Sequence, residues 1–230
     1  MIYITGDTHG QFQRIQRFCS RIQSSITDTM IILGDAGFNY FGNHRDQLEK
    51  QRMSKVPVTV FSIHGNHEQR PETIPSYHTM EWHGGLVYVE DEYPNLLFAV
   101  DGEVYDLDGR PTIVIGGAYS VDKYRRQILG WGWWPDEQPS AEIKNKVESV
   151  LASRNWQIDT VLSHTAPLKY EPIEAFLPMV DQKNVDRSTE IWLDSIEDRL
   201  TYRKWYFGHY HTEKRIDKMT ILFESIQELE

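Results

Sequence analysis

The chain has 230 residues, of which 40% are hydrophobic and 25% charged, with a formal net charge of −10. Such a chain buries a full core at ordinary globular composition, which excludes a disordered or fibrous protein. The acidic excess argues against a large nucleic-acid footprint, because phosphate backbones are held chiefly by surplus Lys and Arg, while a short or single-stranded piece held locally stays open.

No apolar run reaches the roughly 18 residues of a membrane span, and no basic region followed by a short apolar stretch opens the chain. Met1-Ile2-Tyr3-Ile4 leads directly into a motif, so the expected compartment is the cytoplasm, with no membrane partner. The single cysteine, Cys19, has no internal disulfide partner, which agrees with a reducing environment.

Residues 2–5, 30–33 and 58–63 are short, near-continuous apolar runs, the pattern of strands buried on both faces. Between the first two, Phe12, Ile15, Phe18, Cys19 and Ile22 recur at helical spacing, which predicts a helix over 12–22. Residues 43–53 are polar and Gln- and Arg-rich, and read as a second helix with one weak apolar stripe. Strand alternating with helix implies right-handed crossovers and a parallel sheet. The middle differs: 86–90, 96–100, 103–107 and 112–116 are short runs broken at Pro94-Asn95 and Asp108-Gly109, the marks of antiparallel hairpins. Ser140 caps a helix running to about Ser153, followed by a strand over 158–162, a helix over 188–200, a strand over 205–207 and a last strand over 218–223. No repeat or Gly/Ser/Pro-rich linker divides the chain, so the expectation is one α/β domain over 1–230.

Five blocks sit where these strands run out: GDTHG (6–10), GDAG (34–37), GNHE (65–68), SHTAP (163–167) and GHYH (208–211). Ligands of open α/β sheets bind just beyond strand carboxyl ends. The blocks supply Asp7, His9, Asp35, Asn66, His67, His164, His209 and His211, enough oxygen and nitrogen for two divalent ions sharing one carboxylate. Asp7 and His9, and His209 and His211, are two apart, and an extended chain would point each pair to one side, with Thr8 and Tyr210 facing away. Imidazole, carboxylate and amide oxygen suit manganese first, then iron, zinc or nickel, and no thiolate competes. Two such ions clamp an in-line displacement at phosphorus. Their charge outweighs Asp7, Asp35 and a bridging hydroxide, so the site draws a phosphate into an acidic molecule.

A lone His or Gly-Asp pair is more often a turn, cap or core residue, and SHTAP by itself is also a turn capped by its Ser and Thr. Its place after a buried strand favours a ligand role for His164. His44, His78 and His83 have no motif around them and read as surface or loop residues. The segment 118–140 has two readings. In one, Trp131, Trp133 and Trp134 pack as a satellite cluster; in the other, it is a rim or lid whose Arg125 and Arg126 hold phosphate while aromatics stack on a ring. Asn39 and Tyr40 either reach substrate or simply shape the approach to the next helix.

The order D-x-H, GD, GNH[DE], H, GHxH resembles the calcineurin-like metallophosphoesterase superfamily from residue 5 to residue 211. That resemblance implies a four-layer βαβαβ sandwich, two mixed sheets flanked by helices. It implies Asp7, His9 and His211 on one metal, Asn66, His164 and His209 on the other, and Asp35 bridging. A bridging hydroxide would attack phosphorus in line, Asn66 would help hold the non-bridging oxygens, and His67, as imidazolium, would assist the leaving group. The protein Ser/Thr phosphatase branch carries GDxVDRG in its second block, whose Asp supports the block-three His and whose Arg grips phosphate. Here the block reads GDAGFNY. A smaller bacterial or phage-type enzyme acting on phosphodiesters or small phosphomonoesters is the better expectation. A phosphoprotein phosphatase and a metal-bound scaffold without catalysis are the alternatives.

Overall fold

A computed structural model describes residues 1–230, and its strands form two sheets packed face to face. Strand β1 (Ile2–Thr5), helix α1 (Gln13–Ile22), β2 (Thr29–Ile32), helix α2 (His44–Met53) and β3 (Thr59–Ser62) open the first sheet, its strands parallel neighbours. Strands β4 (Tyr77–Trp82), β5 (Gly85–Glu90) and β6 (Leu96–Ala99) extend it as an antiparallel meander, with β6 parallel to β3. The chain then crosses to the second sheet. There β7 (Val104–Leu107) and β8 (Arg110–Ile115) form a hairpin, and β8 runs parallel to β9 (Thr160–Ser163), which runs parallel to β10 (Lys204–Phe207). Helices α3 (Lys123–Leu129) and α4 (Ala141–Ser153) precede β9, and α5 (Ser188–Glu197) precedes β10. Strands β11 (Lys214–Ile216) and β12 (Met219–Ile221) complete the second sheet, and β13 (Ile226–Glu228) returns to pair antiparallel with β1.

The continuous apolar runs are divided by the two-residue period of the strands. Ile31, Leu33, Val114, Leu162 and Tyr206 point between the sheets. Their neighbours Met30 and Ile32 pack outward with Ile15, Cys19 and Met53 of α1 and α2. Ile113, Val161, Trp205 and Phe207 pack outward with Val147 and Leu151 of α4 and Leu193 and Ile196 of α5. The result is helix, sheet, sheet, helix, the four-layer arrangement expected. Cys19 is buried in the α1 interface. Asn43 caps α2 through Arg45 N at 2.9 Å, and Ser140 caps α4 through Ile143 N at 3.3 Å.

Several elements differ from the sequence reading. β4 has no counterpart in it, because its polar run HTME lies on an exposed sheet edge and only its ends, Tyr77 and Trp82, pack inward. His78 is therefore an exposed strand residue, and His83 sits in the turn after it. The hairpin strands of the middle are divided between the sheets, so β6 and β8 each have one parallel neighbour. The single last strand expected over 218–223 is only β12; β11 and β13 are three residues each, too short to show a period. No helix is long and apolar enough to cross a membrane.

Tyr105 ties the sheets together. Fully buried, it donates to Leu86 O at 2.6 Å and accepts from Val100 N at 2.9 Å. Tyr105→Phe leaves two backbone groups without partners, so urea denaturation is expected to show a loss of about 1–3 kcal/mol with the m-value unchanged.

Candidate metal centre

Strands β1, β2, β3, β9 and β10 all end on one side of the molecule, and the five blocks occupy those ends. The chain there is not extended. His9, Asp35, His209 and His211 all have positive φ, at 47°, 49°, 65° and 49°. Such left-handed backbone in non-glycine residues costs of order 1–3 kcal/mol each and persists only where the surroundings over-determine it. The two-apart pairs therefore converge through tight turns, and the extended-chain geometry expected for them does not hold. Thr8 does face away, its hydroxyl donating to Ala36 O at 2.7 Å. Gly208 and Gly65 permit close approach: a Cβ at Gly208 would strike Asp7 Oδ1, and one at Gly65 would strike Asp35.

The donor atoms gather in overlapping groups. Asp7, His9 and His211 place one ligand atom each within 4.8 Å of one another, as do Asp7, Asp35 and His164, and His9, Asp35 and His67. Backbone bonds leave the second oxygen of each carboxylate free. Asp7 Oδ1 accepts from His209 N at 2.9 Å, and Oδ2 is buried without a hydrogen-bond partner. Asp35 Oδ1 accepts from His67 N at 2.8 Å. Its Oδ2 lies 3.4 Å from His67 Nδ1, 3.8 Å from His164 Nε2 and 4.0 Å from His9 Nδ1.

The tautomers test whether cations fit. His164 Nδ1 lies 2.7 Å from Leu33 O, an acceptor only, so in the neutral ring Nδ1 carries the hydrogen and Nε2 the lone pair. Asn66 Nδ2 donates to Ser120 Oγ at 2.8 Å, which turns Oδ1 toward His164 Nε2 at 2.8 Å and His209 Nδ1 at 3.0 Å. His164 Nε2 and Asn66 Oδ1 are thus two acceptors in contact with no hydrogen between them. His9 Nε2 and His211 Nε2 stand 2.9 Å apart, and both converge on Asp7 Oδ2, at 3.9 and 3.3 Å. At the first cluster a cation turns the facing lone pairs into ligands; at the second it takes the place of the hydrogen that the two imidazoles share. The residues fit divalent ions.

Electrostatics keep His9, His209, Asp7 and Asp35 in ligand form. Burial pushes His209 down to about 3, and burial also lowers His9 against the pull of Asp35 and Asp7. Burial alone would raise Asp35, but the imidazoles of His67, His164 and His9 around it and the bond from His67 N outweigh it and hold the carboxylate well below its usual range. Asp7 behaves likewise through His211 and His164. His211, beside Asp7, is raised by that carboxylate.

His67 stands at the edge of this set, and its partners come from α3 and the residue before it. Arg126 Nη2 approaches His67 Nδ1 at 3.2 Å, and Asp122 Oδ1 lies 3.4 Å from Nε2. A guanidinium offers only hydrogens, so Nδ1 accepts and the ring proton sits on Nε2, beside Asp122. Arg126 also bonds both Asp122 oxygens at 2.8 Å and Tyr40 Oη at 3.0 Å. Burial would raise the Asp122 carboxyl, but the bonds from His67 and Arg126 prevail and hold it low. An Asp and an Arg, missing from the second block, thus reach His67 from elsewhere in the chain.

The remaining residues of 118–140 divide between both readings. Arg125 is exposed and lies over the Trp131 ring at 5.7 Å, away from the centre. Lys123 lies over Trp133 at 4.5 Å, and none of the three tryptophans lines the two cavities that meet at Asp35 and His67. Asn39 is buried and accepts from Tyr77 at 3.2 Å, a packing role. Sequence reasoning passes over Asp122, Ser120 and Glu190. The four-residue interval between Asp122 and Arg126 is the one available signal for an ion pair on a helix.

The calcineurin-like phosphoesterase family model matches residues 1–213. The chain belongs to that family. Membership implies a metal-dependent phosphoester hydrolase, in keeping with the Asp/His groups above. Among solved structures, the chain is similar to TT1561 of Thermus thermophilus, at 12% identity and a TM-score of 0.52, covering 96% of this chain and 87% of that one. A second, a protein of unknown function, AQ665, from Aquifex aeolicus, matches at 15% identity and a TM-score of 0.32 over 72% of this chain and 80% of that one. The likeness to TT1561 concerns the fold. No curated protein matches the chain significantly.

Two outcomes follow from this geometry. Gly208→Ala, which pushes a methyl group onto Asp7, is expected to lower the metal content of the purified protein in elemental analysis. Glu190 is 4% exposed, and burial pushes its carboxyl up to about 7 from an ordinary 4.5. The folded chain then holds a proton that the unfolded chain has lost, so stability is full below pH 4.5 and falls as pH rises toward 7. Glu190→Gln should flatten that fall by roughly 3 kcal/mol, read from urea midpoints at pH 5 and pH 8 in chelator.

Proposed function

We propose that this chain hydrolyses phosphate esters with two divalent ions, manganese foremost, and that phosphodiesters with small ester groups are its substrates. The carrying observation is the crowding of ligand atoms at two points: His164 Nε2 on Asn66 Oδ1, and His9 with His211 around the unbonded oxygen of Asp7. Asp7, His9 and His211 would hold one ion, Asn66, His164 and His209 the other, and Asp35 Oδ2 lies between the two groups. When bound, the ions supply Lewis acidity toward phosphoryl oxygens and acidify water.

The chain's own residues supply the rest. His67 directs Nε2–H into the cleft beside Asp122, where it can hydrogen-bond a departing alkoxide and stabilise its developing charge. Asp122 and Arg126 fix that ring from both nitrogens. The bond to Ser120 keeps the Asn66 amide from rotating away. Arg14 donates to Gly6 O at 3.0 Å and Asp7 O at 2.7 Å, which holds the first block in its turn.

Two cavities support the diester reading. One of about 560 Å³ and one of about 330 Å³ share Asp35 and His67 as lining residues, so each arm of a diester has its own space. Arg125 is directed elsewhere, and the acidic chain offers no extended basic track, which favours small esters over nucleic acid.

With added manganese, bis-p-nitrophenyl phosphate is expected to turn over faster than p-nitrophenyl phosphate; the reverse order would leave a monoesterase, and no turnover of either would leave a scaffold. Asp35→Asn and His209→Ala should lose both turnover and metal. His67→Ala should keep its metal and lose roughly 10²–10⁴-fold in kcat. Loss of metal from the His67 variant would mark it as a ligand instead.

A further inference from the structure

The larger cavity extends well past the metal centre, and its far wall has a chemistry of its own. Asn66, His67 and His209 border one end; Tyr119, Phe176, Val180 and Val185 form much of the sides. Phe176 stacks on Tyr210 with 6.2 Å between ring centres and 19° between planes, which gives one side a flat aromatic face. At about 560 Å³ the space is that of a small-molecule pocket, far more than a phosphoryl group occupies.

Arg187 is the only Lys or Arg lining it, and it is already taken. Its Nε lies 3.2 and 3.1 Å from the two Glu171 oxygens, and its terminal nitrogens donate to Gln182 O at 2.9 Å and Gln182 Oε1 at 2.6 Å. No cation remains for a second phosphate or a carboxylate.

Glu190 is different. Tyr210 Oη donates to Thr165 Oγ1 at 3.0 Å, and Thr165 Oγ1 donates to Glu190 Oε1 at 2.8 Å. The other oxygen, Oε2, is buried without a partner, the only such polar side-chain atom among the residues lining this cavity. A buried carboxylate oxygen left unbonded is unfavourable, and a ligand donor relieves it.

We propose that this cavity holds one ester arm of the substrate, a flat apolar ring bearing an O–H or N–H donor that binds Glu190 Oε2. The inference rests on the phosphoesterase reading above and names the class of ester that the site prefers. The neutralised Arg187 offers nothing to an anionic arm, the Phe176–Tyr210 face selects a planar one, and Glu190 selects a donor.

The test measures binding and turnover separately, on the manganese-loaded full chain at pH 8.5. Calorimetry compares naphthylmethylphosphonate, which cannot be hydrolysed, with its isomers carrying a hydroxyl at different ring positions. At least one hydroxylated isomer is expected to bind about tenfold tighter than the parent, and Glu190→Leu should bring the two within twofold. Glu190→Gln, with its oxygen kept on Thr165, places an N–H where Oε2 stands. It should reverse the preference toward a methoxy isomer, which keeps the test open if the leucine variant does not fold. Equal affinity of every isomer in the wild type, or an undiminished preference in both variants, overturns the proposal. Turnover of bis-p-nitrophenyl phosphate in the same preparations judges the hydrolase reading independently: donor preference without turnover upholds the pocket and sinks the hydrolase, and turnover without donor preference does the opposite.

Discussion

The site depends on one electrostatic constraint: atoms that can ligate a cation are held against one another. His164 Nε2 faces Asn66 Oδ1 at a distance where a hydrogen bond would ordinarily sit, and His9 and His211 crowd together beside the free oxygen of Asp7. The first contact cannot relax locally. His164 is anchored by its other nitrogen on a backbone carbonyl, and Asn66 is anchored by Ser120. The fold holds these groups in place through packing between two sheets, and metal binding removes the repulsion. The left-handed residues His9, Asp35, His209 and His211 carry a matching strain in the backbone.

The residues gathered at this site were legible in sequence because each sits in a block at the end of a strand, and strands buried on both faces announce themselves as unbroken apolar runs. Met30 to Leu33 is such a run, and Asp35 follows it. The two-sheet sandwich came with the resemblance; periodicity alone did not show which hairpin joined which sheet. That choice turns on β8 finding β9, a partner that begins only at Thr160, and no local pattern encodes it.

The supporting layer was much less visible. Asp122 and Arg126 are an ordinary pair at the start of a seven-residue helix until the fold sets them against His67. Glu190 reads as a common acidic residue in the first turn of α5, and only burial and the Thr165 bond make it unusual. Arg125 and Arg126 are adjacent in sequence, yet a helix sends neighbours about 100° apart, so one reaches the centre and the other lies against Trp131. Polar residues that act through tertiary contact leave no periodic trace.

The first and last strands carry a consequence for synthesis. His9 and His211 touch across 202 positions, and β13 closes the sheet that β1 begins. A ribosome makes the first half of the site long before the second, so the nascent protein holds Asp7, His9, Asp35 and Asn66 as an incomplete cradle. Contacts between distant positions also form slowly. The centre thus stays incomplete until His209 and His211 have been made, and the sheet edge beside Asp7 is covered only when β13 pairs with β1.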